Sequence, residues 1–280
     1  MVHMHNQTKK QITKHIISNR GAIRNPASKI VNNINPDLLV DISRHEKEEI
    51  DLLLSDLKLY FDDLFPFLRN IKNSIKDITE ETHLCAIYLT LSTAFYNWSA
   101  FFLLVANTKH AAAGGLLRQI KEAIMQVNLF VIENADNSRF HLDKWYKGEI
   151  ITHGAGRESV SAEYNRFMTE NRVDLKSLET HLYQVESQVA HNAYATMLES
   201  INPITEDFEF DGPTCVHRTL SYLNYAKGSF ASMNIAMKAV FLKSLHNEDI
   251  YNQLENILIK YNPEISETLD EKVLNGFINS

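Results

Sequence analysis

The chain has 280 residues, 44% of them apolar and 22% charged, the balance of a globular protein with a well-buried core and far from that of intrinsic disorder. Nine glycines and six prolines leave room for long helices, and a net charge of −7 disfavours a body built to bind nucleic acid. The two cysteines, Cys85 and Cys215, form no ligand or framework spacing, so free thiols in a reducing cytoplasm are expected.

Residues 1–36 carry Lys9, Lys10, Lys14, Arg20, Arg24 and Lys29 without an acid, which makes this arm +6 and the remainder −13. An amphipathic helix is predicted from about Gln7 to Asn19, ending near Gly21. No long apolar run follows the basic start, so no secretory signal is read there. The arm either lies on the acidic remainder of its own chain or of a neighbouring subunit, or binds nucleic acid. The arm is separated from a helical bundle domain over 37–280.

Beyond Asn35-Pro36-Asp37, apolar residues from Ile50 through Leu53, Leu57, Phe61, Leu64, Leu68 and Ile71 to Ile75 recur at steps of three and four. They predict a long amphipathic helix that Pro66 should kink or split. Thr79-Glu80-Glu81-Thr82 supplies a capped start for an apolar helix through Ala106. That helix is about as long as a membrane span. Its Thr90, Ser92, Thr93, Asn97 and Ser99, and the acids ahead of it, fit a buried bundle helix better, and no membrane partner is expected. Asn107-Thr108-Lys109 is a short break before a helix to about Asn134, giving an antiparallel hairpin at the centre of the fold. The run Ala111-Ala112-Ala113-Gly114-Gly115 should admit close helix packing.

A short helix follows from Ser138 to Tyr146, ending at Gly148, with Trp145 and Tyr146 read as a hydrophobic cap over the bundle. The Gly154-Ala155-Gly156 loop precedes a helix to about Asn171, and Asp174 caps another that runs toward Ile201. A short β element is expected near 204–213, around Phe208-Glu209-Phe210. A long helix from Thr214 to about Leu245 and two terminal helices split at Asn262-Pro263 complete an all-α bundle of about eight to ten helices.

Chemistry has few footholds. Glu80 to His83 is a single Glu-x-x-His unit where a di-iron bundle needs two, and no zinc spacing occurs, so neither metal nor cofactor is expected. Gly154-Ala155-Gly156 lacks the third glycine of a dinucleotide fingerprint. The candidate site is polar. Arg118 and Glu122 share a helix face, and Tyr183, Ser187 and His191, spaced by four, share another. Packed together, they would make either a buried site, with Glu122 orienting His191 and Arg118 receiving an anion, or a polar network that fixes helix register.

The run from Val105 to His110, then Leu116-Leu117-Arg118 with Glu122-Ala123, is followed by Lys144-Trp145-Tyr146-Lys147-Gly148. Next come the Tyr183, Ser187, His191 helix and Gly212-Pro213. In that order these motifs resemble a broad set of prokaryotic all-helical proteins of unknown function, over roughly residues 85 to 215. Asn192 stands where that set often has proline. Such proteins are distantly similar to HEPN-type helical domains, several of which are ribonucleases of toxin and phage-defence systems. The resemblance implies a helical bundle and a role in prokaryotic defence. It does not carry over the ribonuclease centre, which needs an arginine five to seven residues before a histidine. Lysine stands in that place instead, as with Lys147 before His153 and Lys176 before His181. The expected function is therefore binding, as an accessory or regulatory defence component, with a protein partner or self-association. The alternatives are a hydrolase or nuclease using Arg118, Glu122, Tyr183 and His191, and a nucleic-acid binder using the basic arm.

Overall fold

The computed structural model describes residues 43–152, 154–156, 158, 201, 206–207 and 216–262. The basic arm, the helices expected over 157–200, most of the expected β element and the last terminal helix lie outside the described residues. Within them the protein is all-α. Six helices are formed: α1 (Arg44–Asn73), α2 (His83–Ala106), α3 (His110–Ala135), α4 (Phe140–Tyr146), α5 (Val216–Ala239) and α6 (Glu248–Tyr261). A π-helical turn, Val240–Ser244, continues α5.

Helix α1 starts at a complete capping box, in which Ser43 Oγ accepts from Glu46 N–H and the Glu46 carboxylate accepts from Ser43 N–H at 3.0 Å. All of the predicted apolar positions are buried, Ile75 just beyond the helix end, and Leu54, Tyr60, Phe65 and Phe67 are buried with them. The split that Pro66 could cause does not occur, and the helix runs unbroken to Asn73. Pro66 sits on the exposed side, where water can satisfy the carbonyl it orphans, while Leu64, Phe65, Phe67 and Leu68 anchor both flanks in the core.

Helix α2 begins at Thr82, whose hydroxyl accepts from Cys85 N–H, and it is buried along one broad side. It is the one described helix long and apolar enough to cross a membrane by composition, yet just over half of its most apolar stretch is buried inside the protein. The hairpin with α3 is the most extensive pair among the described helices. A side-chain hydrogen bond crosses it, from Asn97 Nδ2 to Gln119 Oε1 at 3.3 Å. The turn between the two helices holds Thr108 at φ 58°, a left-handed conformation that a β-branched residue resists. Thr108 is 1% exposed, so its burial enforces that corner.

Helix α5 packs against α1, α2, α3 and α6. Phe230 is its anchor. The ring stacks on Trp98 at 4.0 Å between centroids, and it also contacts Phe102, Tyr60 and Phe61. The Tyr60 hydroxyl donates to the Phe230 carbonyl at 3.2 Å, so side chain and backbone are held by the same neighbours. Helix α6 folds back beside α1, with Tyr261 stacked on Tyr60 at 5.0 Å and donating to Asp63 at 2.8 Å. Lys238 of α5 is 2% exposed and bonds Glu255 of α6 at 2.7 Å, with its ammonium over the Tyr251 ring. Burial holds the Lys238 pKa below its ordinary value, against the opposing pull of Glu255.

Phe230→Ala should destabilise the protein by about 3–5 kcal/mol in urea unfolding, because it removes a ring shared by α1, α2 and α5 that nothing nearby can replace. Exposed Leu52→Ala, as the control, should change stability by less than about 0.5 kcal/mol.

Candidate functional site

Of the residues singled out by sequence, Arg118 and Glu122 are together on α3. Arg118 Nε donates to Glu122 Oε1 at 2.7 Å, with the side chains 13% and 24% exposed. Each makes further polar interactions as well. This is an i, i+4 ion pair in a partly buried setting, so it is stiffer and less screened than a surface pair. Tyr183, Ser187 and His191 lie outside the described residues. Trp145 packs edge-on against Phe130 at 5.7 Å, and Tyr146 donates to the carbonyls of Glu80 and Thr82, which makes this pair the expected cap over the bundle end.

One turn along the same stretch of α3, a cleft opens toward α5. It has a volume of about 350 Å³, and its walls include Lys121 and Met125 of α3 and Asn224, Tyr225, Gly228 and Ser232 of α5. The α5 wall follows from spacing: Tyr225, Gly228 and Ser232 recur at three and four residues and so share one helix face. Lys121 Nζ donates to Tyr225 Oη at 2.6 Å and lies 4.8 Å from the ring centre, closing one end of the cleft with a cation–phenol pair. At Gly228 a Cβ would meet nothing within 4 Å, so the cleft floor is open backbone. The Ser232 hydroxyl turns back to the Gly228 carbonyl at 3.3 Å. Below, Gly156 packs tightly on Met125, where a Cβ would come within 3.3 Å of the Met125 carbonyl oxygen. Gly154, Ala155 and Gly156 are helical, whereas the sequence reads as a loop there.

The arrangement offers one cation, a phenol, a carboxamide and hydroxyls over an apolar wall. Among the described lining residues there is no carboxylate or imidazole to move a proton. The sequence reading missed this face because α5 reads simply as rich in Ala, Met and Phe. The available signal was Tyr225-x-x-Gly228-x-x-x-Ser232, a glycine in a helix interior where it costs about 1 kcal/mol relative to alanine.

Two other polar groups are structural. The Glu133 carboxylate, 5% exposed at the end of α3, accepts from the N–H groups of His141 and Leu142 at 2.8 and 3.1 Å and contacts His141 Nδ1 at 2.8 Å. It thereby caps α4, whose own N-cap residue Arg139 supplies no side-chain bond. His83 Nε2 bonds the Ser138 carbonyl at 2.8 Å beside it, and burial lowers the His83 pKa. Among the described residues no three His, Cys, Asp or Glu side chains are grouped to hold a metal ion.

His110, the first residue of α3, is 1% exposed. Its Nε2 lies 3.0 Å from Thr219 Oγ1 of α5, its ring sits 5.4 Å from that of Tyr222, and its Nδ1 has no hydrogen-bond partner. Burial, aided by the positive Arg218 nearby, lowers its pKa to about 4.

No family model matches the chain, and neither the curated proteins nor the solved structures contain a significant match to it.

Two outcomes follow from these polar groups. Glu133→Ala should cost about 2–4 kcal/mol by urea unfolding, because the buried N–H of Leu142 and the part-buried N–H of His141 at the start of α4 lose a charged acceptor. His110 stays neutral in the fold well below the pH at which it protonates when unfolded, so its contribution is full above about pH 6.5 and is lost as pH falls toward 4. Relative to His110→Gln, the wild type should lose on the order of 3 kcal/mol more stability between neutral pH and pH 4. Equal losses in the two proteins would contradict the neutral-histidine assignment.

Proposed function

We propose that this protein acts by binding, with the α3–α5 cleft as its recognition site. The observation that carries this reading is the Lys121–Tyr225 pair at the mouth of a cleft floored by Gly228. A volume of about 350 Å³ lies at the small end of the range that ordinary ligand sites occupy. The chemistry fits a compact ligand with an anionic head for Lys121 and Tyr225 and a flat apolar body for the Ile124 and Met125 wall. Open backbone at Gly228 would let that body lie close to α5. The order of motifs around the central hairpin supports placing this activity in an accessory or regulatory component of a prokaryotic defence system.

Thermal unfolding with phenyl phosphate and phenylacetate as probes, against benzyl alcohol as the neutral control, tests the site. The two anions should raise the melting temperature and benzyl alcohol should not. Gly228→Leu should abolish the shift by filling the floor, and Lys121→Ala should weaken binding by about tenfold, near 1.4 kcal/mol. No shift with either anion, or a shift that survives Gly228→Leu, would remove the cleft as the site. Turnover of phenyl phosphate that is lost in Lys121→Ala would replace binding with hydrolysis.

A further inference from the structure

The α3–α5 cleft is polarised along its length. Its α5 wall runs from Asn224 and Tyr225 at one end, past Gly228 and Ser229, to Ser232 at the other. At a rise of about 1.5 Å per residue, Tyr225 and Ser232 stand roughly 10 Å apart along the helix axis. That is the reach of one aromatic ring with a substituent at each end and their hydrogen bonds. The Tyr225 end is rich in protons to donate. Lys121 brings its ammonium there, 2.6 Å from the phenol oxygen, and Asn224 brings a carboxamide.

The serine end is the reverse. A hydroxyl has one proton and two lone pairs. Ser229 Oγ donates its proton to the Tyr225 carbonyl at 3.4 Å, and Ser232 Oγ donates to the Gly228 carbonyl at 3.3 Å. Each partner lies four residues back on the same helix, so both protons are committed locally. What the two oxygens can still offer a ligand is acceptor capacity. Ser229 is 2% exposed, so water competes little for its lone pairs.

Taking the α3–α5 cleft as the recognition site, on which this step rests, we infer that its ligand is an aromatic amine with an anionic group at the opposite end of the ring. Ser229 and Ser232 accept hydrogen bonds from its neutral N–H. The amine is neutral because the described lining residues include no carboxylate to hold an ammonium, and Lys121 repels one. A nitro or carbonyl oxygen at the serine end sets lone pairs against lone pairs, or breaks a bond within α5. An unsubstituted ring dries the serine oxygens without giving them a donor, a loss that sites built to bond an N–H impose on analogues lacking it. The Lys121 end thus secures the anion, and the serines choose among the rings that carry one.

Isothermal titration calorimetry of the full chain tests this with three phosphates that share one head and one ring. Relative to phenyl phosphate, 4-aminophenyl phosphate should bind about fivefold more tightly, the effect of one neutral hydrogen bond. The matching 4-nitrophenyl phosphate, of similar size but without an N–H, should bind no more tightly than phenyl phosphate. In Ser229→Ala/Ser232→Ala the ratio of 4-aminophenyl to phenyl phosphate affinity should fall to about one. Alanine is the better helix former, so circular dichroism should show α5 retained. Binding of phenyl phosphate with no gain from the amino group, equal gain from the nitro group, or an amino preference that persists without the serines would each overturn the inference and leave the cleft as a binding site. Failure of all three phosphates to bind would remove the cleft reading and this inference together.

Discussion

The stack of Phe230 on Trp98 is the contact around which the rest is arranged. It joins α5 to the central hairpin, and the same ring reaches α1 through Tyr60 and Phe61. Trp98 is fully buried, and its indole N–H has no partner, a cost that a core accepts where the ring area it gains is large. Placing Phe230 there fixes the rotation of α5. Tyr225 and Gly228 then face the α3 side, and Lys238 turns toward Glu255 of α6. The cleft and the buried ion pair are thus two consequences of one aromatic contact.

Much of the described fold is legible in local sequence. The steps of three and four from Ile50 to Ile75 mark α1, Thr82 marks the start of α2, and Asn107-Thr108-Lys109 marks the hairpin turn, because each signal is carried by neighbouring residues. Pro66 misleads for a reason that only tertiary structure supplies, since its missing hydrogen bond falls on the solvent side of a helix pinned by Phe65 and Phe67. The Ser43–Glu46 capping box was written in the chain and was masked by the more conspicuous Asn35-Pro36-Asp37.

The candidate site was less legible. Arg118 and Glu122 stand out because their partnership is local, four residues along one helix. Lys121 and Tyr225 are 104 residues apart, and no periodicity announces that their helices run side by side. His110 is concealed in the same way, since its burial and its Thr219 contact arise from α5. Glu133 reads as an ordinary acid near a helix end, yet it is the cap of the next helix. Single-sequence patterns reveal which face of a helix is apolar, and they are silent on which distant helix meets it.

The π turn at Val240–Ser244 carries one residue more than a regular helix would need to cover the same rise. Each residue of an α-helix turns the chain by about 100°, so that surplus sets the direction in which the polypeptide leaves α5. The stacking of Tyr261 on Tyr60 and its hold on Asp63 both lie downstream of it. Length is therefore under tighter control than composition in this stretch. A conservative exchange among its apolar side chains leaves the exit path intact, whereas the loss of a single codon would swing the following helix away from its groove.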